Sequence, residues 1–143
     1  MSEPKTFIDT NILVYAYDAT AGEKRQAARA VVAGLWRTGN GLISTQVLQE
    51  FYVTVTRKVP RPLEAALARE IVADMLTWDV VVNDGESILL AFEIERRERL
   101  SFWDALIVAA AVRGGAEGLL SEDIPHGRTL AGVRVIDPFL PSP

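Results

Sequence analysis

A chain of 143 residues, 49% apolar and 24% charged, has the size and composition of one soluble globular domain. Its longest uninterrupted apolar run, residues 105–112, falls far short of the roughly 18 residues of a membrane span, and without cysteine it can form neither a disulfide nor a thiolate metal site. A net charge of −4 excludes gripping nucleic acid by bulk positive charge, so any such binding must come from local clusters.

The first residues, Met1 to Thr6, lack the apolar stretch and small-residue cleavage site of a secretory signal, and the expectation is a cytoplasmic protein with no membrane contact. Residues 6–9 then read as a short strand. Thr10 and Asn11, both good helix starters, and the apolar Ile12 to Tyr15 follow at once, giving strand, tight turn and helix. A second helix is expected over 23–38, with Ala27, Ala30, Val31 and Leu35 inward, stopped by Gly39-Asn40-Gly41. Residues 42–44 form a strand. Thr45 or Gln46 opens a helix with Val47, Leu48, Phe51 and Val55 inward, ended by Pro60 and Pro62.

Further along, the pattern predicts a helix over 63–78, a strand at 80–82, and a helix over 85–98 with Ile88, Leu89 and Phe92 inward. A nearly all-apolar helix over 101–113 ends at Gly114-Gly115, and strands follow at 119–120 and 133–136. Trp36, Trp78 and Trp103 are expected in the core, with base stacking as the alternative, and His126 in a loop. Short apolar strands alternating with helices specify an α/β fold: one domain over 1–143, with a central parallel sheet of about four to five strands covered by helices on both faces. Residues 138–143, rich in proline, read as a tail.

In such a sheet the ligand site lies beyond the carboxyl ends of the strands. Asp9 closes the first strand and Asp123 follows the strand at 119–120, while two further acids stand near helix starts that open at the same edge. Asp104 is the only charged residue between Phe102 and Val112; it is either a member of a site or part of a capping start with Ser101. Glu50 lies about 120° around its helix from the centre of the apolar stripe, at the border of the buried face. Singly, Asp9 also fits a helix cap, Glu50 a solvated boundary residue and Asp123 a turn residue. Together, carboxylates from separate segments would repel one another unless a cation sat among them, and an oxygen-only set suits Mg²⁺ or Mn²⁺ and not zinc.

The stretch Phe7-Ile-Asp-Thr-Asn-Ile-Leu-Val-Tyr15, with Gln46-Val-Leu-Gln-Glu-Phe51, Ser101-Phe-Trp-Asp-Ala-Leu-Ile-Val-Ala109 and Leu119-Leu-Ser-Glu-Asp123 in that order, resembles PIN-domain nucleases of the VapC toxin type. The resemblance implies a PIN-like domain in which Asp9, Glu50, Asp104 and Asp123 hold Mg²⁺ or Mn²⁺, with Asn11, Ser121 and Thr10 as supporting polar residues. Glu122 is an alternative to Asp123 as the outer ligand. It further implies hydrolysis of RNA by a metal-activated water, the role of toxin in a toxin–antitoxin pair, a cognate antitoxin as partner, and a homodimer.

Arg57, Lys58 and Arg61, with Arg25, Arg29 and Arg37, are candidates for the local positive surface that RNA needs, or else ordinary solvated cations. A haloacid-dehalogenase-like phosphatase using Asp9 as nucleophile is the first rival reading, although Asn11 stands where its second acid would be. A receiver-like domain would need a late lysine, and none follows Lys58. A non-catalytic PIN-fold binding module is the third rival.

Overall fold

The protein is described by a computed structural model, which covers residues 4–141. Strand β1 (Lys5–Ile8) leads into helices α1 (Thr10–Tyr17) and α2 (Glu23–Thr38), and β2 (Gly41–Ser44) into α3 (Thr45–Arg57) and α4 (Ala65–Met75). Strand β3 (Asp79–Val81) precedes α5 (Gly85–Glu98) and α6 (Phe102–Arg113); β4 (Ala116–Leu120), β5 (Thr129–Leu130) and β6 (Val133–Ile136) complete the chain.

The strands form one six-stranded sheet in the order β3-β2-β1-β4-β6-β5. Every neighbouring pair is parallel except β5 with β6. The fold is therefore the expected α/β arrangement around a mostly parallel sheet. Its sixth member, β5, has two residues and no hydrophobic pattern to announce it. All four residues of β2 are buried, and since alternate side chains leave opposite faces of a strand, both faces of the sheet are covered there.

Sequence features set the element boundaries. Gly39 ends α2 in the left-handed conformation at φ +73°, which costs glycine nothing. Gly41 is needed for close approach: a Cβ there would lie 2.3 Å from the Trp78 ring. Ser44 caps α3 and Ser101 caps α6, each accepting from the backbone N–H three residues on.

Several inward faces differ from expectation. On α5 the buried residues are Ser87, Ala91 and Ile94, while Ile88, Leu89 and Phe92 are exposed. Small side chains let α5 lie close against the alanine-rich α6, so the bulkier ones are left outside. On α2 the fully buried residues are Ala28 and Val32, with the expected Val31 and Leu35 partly buried against the core beside them. Helix α4 is shorter than the predicted 63–78, because Leu63 bonds back to Val55 and the chain turns at Thr77 and Trp78. Trp36 and Trp103 are exposed and not in the core; Trp78 packs partly buried, edge-on to Trp36. Phe139, inside the expected 138–143 tail, packs on the core and edge-on to Tyr15; residues 142–143 lie outside the described residues.

Candidate active site

The strand order reverses at β1, which has β2 on one side and β4 on the other, so the carboxyl ends of β1 and β4 border a crevice. The register pairs Ile8 with Leu120, and the Asp9 N–H donates to the Leu120 carbonyl. Topology alone thus brings Asp9, the residue after β1, beside Ser121, the residue after β4.

A cavity of about 580 Å³ opens at this point, and Asp9, Glu50, Asp104 and Asp123 all line it. Asp9 is the anchor, only 5% exposed. It is at once the N-cap of α1, accepting from the Thr10 N–H at 2.7 Å, and an acceptor for the Ser121 hydroxyl at 2.8 Å. Burial pushes the Asp9 carboxyl up to about 6; those two bonds oppose the rise, and repulsion from Asp123 and Asp104 adds to it. Asp104, half-buried on the first turn of α6, is also raised, first by burial and then by Asp123. Taking part in a helix start and lining the cavity are therefore not alternatives for these two acids.

Glu50 and Asp123 are exposed at the mouth. Glu50 accepts from the Thr10 hydroxyl at 2.8 Å, and Asp123 accepts from the Asn11 amide at 3.0 Å. Thr10, Asn11 and Ser121 are thus the polar residues that fix the acids. The Ser121 hydroxyl also accepts from the N–H groups of Asp123 and Ile124, shaping the turn that presents Asp123. Glu122 is turned elsewhere. It accepts from Tyr15 at 2.7 Å and from Lys24; burial raises its carboxyl, but these two partners carry it below the usual range.

Of the basic candidates, Lys58 lines the cavity. Arg25 and Arg29 line a separate cavity of about 440 Å³ between α2 and α4, and Arg57 and Arg61 are exposed outside both. The cavity also has walls that sequence reasoning missed: Gln46, Gln49, Tyr15 and Trp103. Gln46 is buried on α3, and its place four residues before Glu50, on the same helical face, is the signal that could have found it.

Two observations bear on whether a hard cation suits the site. The donor set contains only oxygen for anionic ligands, and two amide oxygens of the wall, Asn11 Oδ1 and Gln46 Oε1, are buried without a hydrogen-bond partner. As they stand, no three acidic or histidine side chains among the described residues are disposed to enclose an ion, and three of the acids are bonded to protein donors. The residues fit the group chemically, although as they stand they do not enclose it.

A family model described as PIN domain matches residues 6–128. No curated protein matches the sequence. Among solved structures, a toxin–antitoxin complex from Klebsiella pneumoniae superimposes with a TM-score of 0.71 at 17% identity, covering 94% of this chain and 98% of that one. VapC20 of Mycobacterium tuberculosis, a sarcin–ricin loop cleaving toxin, gives 0.64 at 20% identity, covering 83% and 90%. DNA-bound VapBC from Salmonella typhimurium gives 0.64 at 17% identity, covering 95% and 99%. At such identities these likenesses establish the shared fold.

Proposed function

The chain belongs to the PIN-domain family, and from that premise we propose that it is a divalent-metal-dependent endoribonuclease, the toxin of a toxin–antitoxin pair. The observation that carries this reading is the buried Asp9 carboxylate, sharing one cavity with Asp104, Glu50 and Asp123. Burying a charge without a counter-charge is costly, and a structure with that cost at a strand end has a use for the cation that removes it.

In this reading Asp9, Asp104 and Asp123 hold Mg²⁺ or Mn²⁺, with Glu50 closing the set from α3. When bound, the ion supplies positive charge to phosphoryl oxygens and lowers the pKa of a water so that it can attack phosphorus. The protein's own residues do the positioning. Thr10 orients both Asp9 and Glu50, through its N–H and its hydroxyl. Ser121 ties Asp9 to the Asp123 turn, and Asn11 holds the Asp123 carboxylate. Lys58 contacts the backbone of the RNA, as the cation within the cavity.

Neighbours that are toxin–antitoxin assemblies support a cognate antitoxin as partner. A homodimer belongs to the same reading, supported by the exposed Ile88, Leu89 and Phe92 on α5. A cytoplasmic location fits it too; among the described residues no helix is long and apolar enough to cross a membrane. The rival phosphatase reading loses ground because Asn11, where its second acid would stand, uses its amide to hold Asp123.

The test is cleavage of RNA by the purified protein with and without Mg²⁺. Cleavage should require the ion, stop on chelation, and be lost in Asp9→Asn and Asp104→Asn with circular dichroism unchanged. Undiminished cleavage in either folded variant would sink the mechanism.

A further inference from the structure

Trp103 immediately precedes Asp104 on the first turn of α6 and is 63% exposed, more than the other tryptophans of the chain. A ring of that size left largely in water forgoes much of the gain of burial. It is not loose. Phe102 packs against it edge-on, with centroids 5.2 Å apart and planes at 74°, and Phe102 is in turn backed by Phe92 at 5.7 Å. The exposed ring also lines the cavity that holds the four carboxylates, together with apolar Val53 and Ile107.

We propose that Trp103 is a stacking platform for an unpaired nucleobase of the RNA, placed beside the phosphate that is cut, with Lys58 contacting the same strand. The inference rests on the nuclease reading and assigns a base-contacting residue within it. A base reaches a ring at the cavity wall only if it can leave its stack, which unpaired bases do at least cost. An indole face accepts any base, so the platform confers a demand for an unpaired nucleotide and little preference among the four. The adjacent position of Asp104 couples the two events, because the turn that aims the carboxylate also aims the ring.

The test uses fluorescence anisotropy with a labelled, single-stranded oligoribonucleotide of random sequence, in Mg²⁺, on the non-cleaving Asp9→Asn protein as parent. Adding Trp103→Ala should weaken binding about ten- to hundredfold, in line with the usual contribution of one base–aromatic stack. Trp103→Phe should restore it to within about threefold. A sugar–phosphate chain lacking bases should bind parent and Trp103→Ala equally, while Lys58→Ala weakens both probes. Equal affinity of parent and Trp103→Ala for the oligoribonucleotide overturns the inference alone. So does a change in sedimentation caused by Trp103→Ala, which would assign the ring to a protein interface. A parent that binds no RNA overturns the nuclease reading, and this inference with it.

Discussion

Ser121 donates its hydroxyl to Asp9 across 2.8 Å, although 112 residues separate the two in the chain. The same oxygen accepts from the N–H groups of Asp123 and Ile124, so one hydroxyl joins the buried acid of β1 to the turn that carries the exposed acid of β4. Ser121→Ala removes all three contacts while leaving every carboxylate in place. The expected outcome is a ten- to hundredfold rise in the Mg²⁺ concentration needed for half-maximal cleavage, the usual effect of deleting a group that orients a metal ligand. An unchanged metal requirement in a folded Ser121→Ala protein would show that Asp9 and Asp123 are held by other means.

Asp9 is expected to make opposite contributions to activity and to metal-free stability. Its carboxyl titrates at about 6 in the folded state against an ordinary value of 3.8. The native state therefore binds more protons than the unfolded chain between these values, and stability falls as pH rises through that window. In metal-free buffer at pH 7.5, Asp9→Asn should be more stable than the parent by up to about 2–3 kcal/mol, with the gap closing near pH 4. Thermal melts in EDTA measure this, and adding Mg²⁺ should raise the melting temperature of the parent alone. The variant should nonetheless be inactive.

Asp123 and Glu122 are neighbours with different surroundings, and they separate in experiment. Asp123 lines the cavity, whereas Glu122 is engaged by Tyr15 and Lys24. Asp123→Asn should lower kcat/KM by at least about a hundredfold, and Glu122→Gln by less than about tenfold, each figure set against the 10- to 100-fold range for groups that only orient ligands. The reverse order would make Glu122 the outer ligand.

The basic residues divide by cavity. Lys58→Ala should weaken RNA binding uniformly across sequences and reduce the slope of log affinity against log salt by about 0.7, as expected for one lost contact to a single strand. Arg25→Ala and Arg29→Ala, which line the other cavity, should leave that slope unchanged. Titrations at several salt concentrations decide it.

The alternation of strands and helices was legible because the strands are short and the first two are closed by a residue that starts a helix: Asp9 caps α1 and Ser44 caps α3. Asp104 stood out as a lone charge in an apolar helix, and Asp9 and Asp123 followed from the rule for strand ends. What hydrophobicity could not convey was which apolar side chains face inward. Along α5, Ala91 and Ser87 win the contact with α6 because they are small, and Phe92 and Leu89 lose it because they are large. The apolar helix around Trp103 points to the core in the same way, because a pattern of neighbours does not show which way one ring on the first turn faces. Gln46 stayed hidden because an amide at a helix start reads as a solvated opener unless its place four residues before Glu50 is weighed with it. Strand β5 is too short to carry any periodicity.

The two outer strands of the sheet, β3 with three residues and β5 with two, bear on how copies of this protein can meet. An edge of three residues offers about 10 Å of unpaired backbone. That is well below the six- or seven-residue segments that seed cross-β stacking, and β3 opens with the charged Asp79. Edges this short disfavour extension of the sheet by a strand from another molecule, and leave helix faces such as the exposed Ile88, Leu89 and Phe92 of α5 as the better surface for copies to meet.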